Sequence, residues 1–119
     1  DGWVDWNMVL DTQGGPNWVN NWCVAPIIVD PTKDEIYYTP LYYVMTHFSK
    51  YIRPGANIID VENNDDKLMV TAALNPDNSI AVVLFNEGND KRSFNIQLDN
   101  YSKNISINPQ AIQTIIINK

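Results

Sequence analysis

The segment LMVTAALNPDNSIAVVLF, residues 68–85, carries the strongest structural signal in the chain. In residues 68–74 every second position falls on one apolar face, a period that is typical of a β-strand. Asn75–Asn78 has the composition of a tight turn. Ile80–Phe85 is apolar on both faces, as expected for the central strand of a sheet. The segment therefore predicts two β-strands joined by a tight turn.

The rest of the C-terminal region predicts further strands. They are expected at Ile58–Val61, Phe94–Leu98, Ile105–Ile107 and Ile112–Ile117. Turn signals recur roughly every 8 to 12 residues, which favours an antiparallel β-sandwich of about six strands. A complete sandwich usually takes about 100 residues, which is more than this region supplies. Either the sandwich is small, or strands from outside this chain complete it.

The first half of the chain predicts a different organisation, because it holds all four tryptophans and one clear helix. Trp3–Leu10 is expected to be a short strand that runs into a turn-rich loop, and Pro26–Asp30 to be a second strand. Thr39 is a suitable N-cap for a helix with an apolar stripe, which ends at Pro54. The predicted domains are residues 1–55 and 56–119.

Composition and charge exclude several classes of protein. The chain has 119 residues, of which 45% are hydrophobic and 18% charged, so it is long enough for one ordinary domain and too apolar to be disordered. No apolar run reaches the roughly 18 to 20 residues of a transmembrane helix. The net charge of −6 offers no basic face to a nucleic acid. A single cysteine and a single histidine form no metal-ligand cluster, so neither a metal nor a cofactor is predicted.

Tryptophans and asparagines near the start of the chain form the strongest candidate binding site. Trp3, Trp6 and Trp18 are interspersed with several asparagines, among them Asn21. Aromatic rings stack on the apolar faces of sugars, and amides both donate to and accept from their hydroxyls. The same composition also fits a packed core with a wet edge. Both alternatives stay open on composition alone.

Asp5 is a further candidate, because it lies between two tryptophans. A carboxylate in such surroundings should be buried or line a site, and it needs a partner. A structural ion pair and a direct substrate contact are both possible. The three glutamates, Glu35, Glu62 and Glu87, are interpreted as solvated loop charges, so no catalytic residue is predicted in this chain.

Several stretches of the chain resemble the C-terminal part of glycoside hydrolase family 30, the glucosylceramidase-like family. These stretches are Gly2–Asn7, Gly14–Asn21, Pro26–Asp30, Tyr42-Tyr43, His47–Ile52 and Ile107–Ile115. The resemblance implies a retaining β-glycosidase built from a (β/α)₈ barrel and a β-sandwich. Residues 1–55 would be the last barrel strand, its active-site loop and the last barrel helix. Residues 56–119 would be sandwich strands, completed by a segment that precedes the barrel.

The resemblance also assigns roles to residues of this chain. Trp6 corresponds to a tryptophan that lines the sugar subsite, and Asn21 to an asparagine at its rim. Asp5 resembles a structural carboxylate beside that tryptophan, while Trp18 either contacts the sugar or packs the loop. The family's acid/base and nucleophile glutamates lie on earlier barrel strands, and no position here matches them. Where the family often has an acidic residue before the Pro-Ile-Ile run, this chain has Val24-Ala25.

The main hypothesis is therefore a C-terminal portion of a retaining β-glycosidase. The chain starts at Asp1-Gly2-Trp3 without a methionine, so a longer parent is expected, and its preceding part is the expected partner. The parent would hydrolyse glucosylceramide, β-1,6-glucan or small β-glucosides or xylosides, and the resemblance implies that it is secreted or periplasmic. This chain alone is predicted to be inactive. The alternatives are a free-standing carbohydrate-binding module and a β-rich interaction domain with packed tryptophans.

Overall fold

Nine β-strands and one α-helix form within residues 2–118, the part of the chain that this computed structural model describes. The chain divides into two compact units, Asp1–Thr46 and His47–Lys119. The elements are β1 Val9–Asp11, β2 Ile27–Asp30, β3 Glu35–Tyr38, α1 Pro40–Ser49, β4 Asn57–Ile59, β5 Leu68–Leu74, β6 Ile80–Asn86, β7 Arg92–Leu98, β8 Tyr101–Ile107 and β9 Ala111–Ile117.

The first unit contains a three-stranded sheet in the order β1-β2-β3. Strand β1 pairs parallel to β2, with Val9 opposite Ile27, and β3 pairs antiparallel to β2. The strand expected at Trp3–Leu10 is wrong for most of its length, because only its last two residues pair with β2. Strand β3 was not predicted, since Glu35 was assigned to a turn. The hydrogen bonds that Asp30 accepts reverse the chain early enough for Glu35 to enter the sheet.

Helix α1 starts where the sequence predicts but ends sooner. The main-chain carbonyl of Thr39 accepts from the N–H of Tyr42 at 3.0 Å. The Thr39 hydroxyl does not cap the helix and instead donates to the main-chain carbonyls of Ala25 and Pro26, each at 3.1 Å. The last helical residue is Ser49 rather than Arg53, because the N–H of Arg53 donates to the side chain of Asn75 and not to a helix carbonyl.

The second unit is a small antiparallel β-sandwich. One sheet has the order β4-β5-β6-β9, and β7 and β8 pair as a separate two-stranded sheet. Strand β6 lies between two neighbours and is almost wholly buried, which confirms the central strand predicted at Ile80–Phe85. Buried apolar side chains from both sheets form the core: Leu68, Ala72, Ile80, Val82, Leu84, Ile107 and Ile117.

Strand β7 shows the expected wet face, with Phe94, Ile96 and Leu98 turned inward between exposed polar residues. At the other end of this unit, Nδ1 of His47 lies 2.7 Å from Oγ1 of Thr114 on β9. Burial lowers the pKa of His47 below its ordinary value. Among residues 2–118, no helix is long and apolar enough to span a bilayer.

Candidate functional site

An open cleft of about 500 Å³ lies in the first unit, beside the loop that follows β1. Three of the four predicted site residues, Trp6, Trp18 and Asn21, come together on its walls. Its lining residues are Trp6, Asn7, Gly14, Pro16, Asn17, Trp18, Val19, Asn21 and Cys23. A cleft in the loop after a strand is where barrel enzymes carry their sites.

Asp5 does not line the cleft. Its side chain is exposed, and its Oδ1 accepts from the main-chain N–H of Trp6 at 2.8 Å. No ion pair to Asp5 forms among residues 2–118. The expected burial and the expected ion pair are therefore not found in this chain, because the tryptophans that flank Asp5 in sequence leave it open to solvent.

The tryptophan rings of the cleft are uncovered. Trp6 is 83% exposed and Trp18 is 97% exposed. Large aromatic side chains normally bury most of their surface, and an exposed cluster of them marks a place where something binds. The packed-core alternative predicts buried rings, and within residues 2–118 these two rings are not buried.

A hydrogen-bonded turn shapes one side of the cleft. Oδ1 of Asp11 accepts from the N–H groups of Gln13 and Gly15, both at 2.8 Å. The main chain of Asp11 also donates to the carbonyl of Gly15 at 2.7 Å and accepts from Gly14 at 3.0 Å. The amide of Asn17 donates to the Gly14 carbonyl at 3.2 Å. The sequence indicates turn chemistry here and includes Asn17 among the asparagines interspersed with the tryptophans, but it does not place Gly14 or Cys23 at the site.

The cleft can bind, but its walls carry no acid or base. None of the lining residues is an aspartate, a glutamate or a histidine. Glu35 is exposed on β3 and accepts from the Tyr37 hydroxyl, a bond that raises the pKa of that phenol. Glu87 pairs with Lys67 at 3.3 Å, and Glu62 is exposed. Among the described residues, no group of three His, Cys, Asp or Glu side chains could hold a metal ion.

Indole faces and side-chain amides therefore dominate the chemistry of this cleft. The faces can stack on apolar C–H surfaces, and the amides can both donate to and accept from hydroxyls. Both halves of the chain match known families in the same order as these two units. Residues 1–52 match the Glycosyl hydrolase family 30 TIM-barrel domain. Residues 55–115 match the Glycosyl hydrolase family 30 beta sandwich domain. The chain thus joins the end of a glycosidase barrel to a β-sandwich, and it belongs to glycosyl hydrolase family 30.

Individual relatives agree with this assignment. Lysosomal acid glucosylceramidase of Mus musculus is 43% identical over 90 residues, which are 75% of this chain and 18% of that protein. Putative glucosylceramidase 4 of Caenorhabditis elegans is 38% identical and matches 97% of this chain and 23% of its own length. The crystal structure of SrfJ from Salmonella typhimurium superposes with a TM-score of 0.92 at 29% identity, over 97% of this chain and 26% of that one. The chain thus spans about a fifth of the curated relatives it matches.

Proposed function

We propose that this chain is the C-terminal part of a retaining β-glycosidase and supplies a wall of its sugar subsite. The observation that carries the proposal is the cleft, in which exposed indole rings and amides meet without any carboxylate. Membership of the family supports the hydrolase class. The proposed domain boundary lies between residues 55 and 56.

Each wall residue has a defined task in this proposal. The Trp6 indole stacks on the apolar face of a β-linked glucosyl unit, and the Asn21 amide hydrogen-bonds its hydroxyls. Trp18 supplies a second indole ring to the lining of the cleft. Asp5 fixes the main chain at Trp6 through the hydrogen bond to its N–H, which sets the direction in which the ring leaves the backbone.

Bond cleavage itself depends on groups outside this chain. Retention of configuration needs two carboxyl groups about 5 to 5.5 Å apart, one acting as acid and base and the other as nucleophile. The cleft walls offer neither. The proposal therefore assigns both carboxylates to the preceding part of the same polypeptide and expects the 119-residue chain to be inactive by itself.

Two features of the sandwich also support the proposal that the preceding part of the polypeptide is a partner of this chain. An open groove of about 740 Å³ separates the inner faces of its two sheets, and Val70, Val82 and Phe94 are among the apolar side chains that line it. The sheet formed by β7 and β8 has only two strands. A strand from elsewhere in the polypeptide would fill the groove and cover an open sheet edge, which otherwise invites aggregation.

The proposed substrates are β-linked glucosides. Both curated relatives described above carry the name glucosylceramidase, which supports a glucosyl unit next to Trp6 and a lipid-linked aglycone as one candidate. β-1,6-Glucan and small β-glucosides or xylosides are the other candidates. The stacking wall selects for the apolar face of the sugar and leaves the aglycone unspecified.

Kinetics of Trp6→Ala test the proposal in a polypeptide that contains this chain and its preceding part. Loss of the stacking face removes about 2 to 3 kcal/mol of apolar contact, or roughly 30- to 150-fold in kcat/KM for p-nitrophenyl β-glucoside. The matched control is Trp3→Ala, since Trp3 is also an exposed tryptophan but does not line the cleft. Equal effects of the two substitutions would contradict the assignment of Trp6.

The first-formed anomer tests retention separately. We expect proton NMR of the early hydrolysate to show the β-anomer of glucose before mutarotation, because two successive inversions restore the configuration. Early accumulation of the α-anomer would contradict a retaining mechanism while leaving the sugar wall intact.

A second candidate function follows from the same cleft. An aromatic platform without carboxylates also fits a free-standing carbohydrate-binding module. Calorimetric titration of the 119-residue chain with β-glucan oligosaccharides distinguishes a free-standing binding module from a part of a glycosidase. Near-micromolar affinity that Trp6→Ala abolishes favours the module, whereas part of a larger pocket should bind very weakly, since most of its contacts are absent.

A further inference from the structure

The segment that carries Trp18 and Asn21 has almost no restraints of its own. Within residues 2–118, no hydrogen bond involves any residue from 18 to 24. Asn20, in the middle of this segment, adopts a positive φ of 51°. The position of segment 18–24 must therefore depend on its van der Waals contacts with the rest of the first unit rather than on hydrogen bonds of its own.

Gly14 lies in close contact with the end of this segment. A Cβ added at Gly14 would lie 2.7 Å from the main-chain nitrogen of Cys23 and 3.0 Å from Cα of Trp22. The backbone at Gly14 therefore lies directly against the backbone of 22–23, and its φ of +70° is a conformation that favours glycine. Any side chain at this position would push the cleft wall outward.

Asp11 in turn fixes Gly14. Its carboxylate accepts from the N–H groups on both sides of Gly14, those of Gln13 and Gly15, at 2.8 Å each. The absence of a side chain at Gly15 makes room for this, since a Cβ there would lie 2.9 Å from Oδ2 of Asp11. Charge-assisted hydrogen bonds to main-chain N–H groups are among the stronger ones in proteins.

We infer that Asp11 is a positioning residue that acts through Gly14 to hold the wall segment 18–23 against the cleft. This inference rests on the proposed function for its role in sugar binding. Asp11 does not line the cleft, so its effect on a sugar passes through the placement of Trp18 and Asn21. A displacement of such groups by about 1 Å is enough to lower the rate of an enzyme by up to about 100-fold.

Cys23 provides a direct readout of the wall, because it is the only cysteine in the chain and lines the cleft beside Gly14. Iodoacetamide labelling of the 119-residue chain without sugar reports how often this wall opens. We expect Asp11→Ala to raise the labelling rate about fivefold or more, and Asp11→Asn, which keeps the accepting oxygen, to stay within about twofold of wild type. Gly14→Ala should raise the rate as well.

The matched control is Asp77→Ala. Asp77 accepts from the N–H of Ser79 at 3.0 Å in the β5–β6 turn of the second unit, so its loss removes a similar turn bond away from Cys23. We expect its labelling rate to equal that of wild type. Circular dichroism checks that each variant folds. If Asp11→Ala does not fold, the labelling rate of Gly14→Ala is compared with that of Asp11→Asn instead. Unchanged labelling in Gly14→Ala and Asp11→Ala would overturn the inference.

Kinetics separate positioning from plain stability. In the longer polypeptide, Asp11→Ala should raise KM for p-nitrophenyl β-glucoside about tenfold, with kcat kept within about threefold and Asp11→Asn near wild type. A fall in kcat at unchanged KM would mean a smaller active fraction and would overturn the inference. If Trp6→Ala leaves kcat/KM unchanged, the proposed function fails, and the labelling result alone still decides whether Asp11 holds the wall.

Discussion

Asp30 illustrates at the scale of one residue how a carboxylate holds a turn. It is 5% exposed at the end of β2 and accepts from the hydroxyl of Thr32 at 2.7 Å and from the N–H of Thr32 at 3.0 Å. The ammonium of Lys33 lies 3.3 Å away. The Thr32 hydroxyl, followed by the N–H of Thr32 and the charge of Lys33, lowers the pKa of Asp30 below its ordinary value of 3.8.

Acid should therefore destabilise the chain partly through Asp30. A carboxyl group with a lowered pKa in the folded state contributes stability that is present above the unfolded pKa and lost as the pH falls through the folded value. Melting curves should show that Asp30→Asn has a lower melting temperature than wild type at about pH 5. The difference between the two melting temperatures should narrow as the pH falls to about pH 2. Asp34→Asn, at an exposed aspartate without a hydrogen bond, is the control. A constant gap would contradict the prediction.

The composition of the cleft could be predicted at this scale, but its construction could not. Trp6 and Trp18 were identifiable because the tryptophans cluster there in sequence, and Asn21 was identifiable through the family resemblance. The contact of Gly14 with the backbone of Cys23 was not identifiable, because the composition of a turn does not indicate which distant part of the backbone a glycine contacts. Asp5 was expected to be buried because tryptophans flank it in sequence, yet neighbours along an irregular segment need not cover each other.

Asn86 joins three elements of the sandwich. Its amide nitrogen donates to the main-chain carbonyls of Asp90 at 2.8 Å and Asn108 at 2.9 Å, and its oxygen accepts from the N–H of Gly88 at 3.0 Å. The side chain is fully buried. One residue thus fixes the end of β6, the turn before β7 and the connection into β9.

Asn86→Asp should be strongly destabilising although it is nearly isosteric. The new carboxylate oxygen would face two carbonyl oxygens in a buried position, at a cost of about 3 kcal/mol in the free energy of unfolding. Urea denaturation measures this loss. Asn89→Asp is the matched control, because Asn89 is exposed and its oxygen can still accept from Gln110; it should stay within about 0.5 kcal/mol. Equal midpoints for both variants would refute the role of Asn86.

At the scale of elements, strands with a clear apolar pattern were predictable, and the short exposed strand β3 was not. Strands β5 and β7 alternate over seven positions, enough to define a period, and β6 is marked instead by a continuous apolar run. Strand β3 has four residues, all of them exposed, so no alternation marks it. The early end of α1 depends on Asn75, which lies far along the chain. Such long-range hydrogen bonds leave no local signal.

At the scale of the whole molecule, the two units differ in how much apolar surface they bury. In the first unit, Leu10 and Ala25 are the fully buried apolar residues among those described, whereas most of the core lies in the sandwich. Many large apolar side chains of the first unit remain exposed, including all four tryptophans. Exposed apolar surface on this scale marks a region that another surface covers.

The isolated chain should therefore bind an apolar dye. We expect anilinonaphthalene sulfonate to fluoresce more strongly with the 119-residue chain than with an equimolar polypeptide that also contains the preceding part, because the added part covers the exposed side chains of the first unit. Equal fluorescence from the two would contradict the proposal that this surface is covered within the same polypeptide.

Turnover of p-nitrophenyl β-glucoside by the 119-residue chain, measured beside the longer polypeptide, tests the central claim most directly. The proposal gives the chain a wall of the sugar subsite and places the catalytic carboxylates in the preceding part, so we predict nitrophenol release at the buffer rate for the chain and enzymatic turnover for the polypeptide. Nitrophenol release by the purified chain above the buffer rate would contradict this division of roles, whether or not replacement of its three glutamates by glutamine abolishes it.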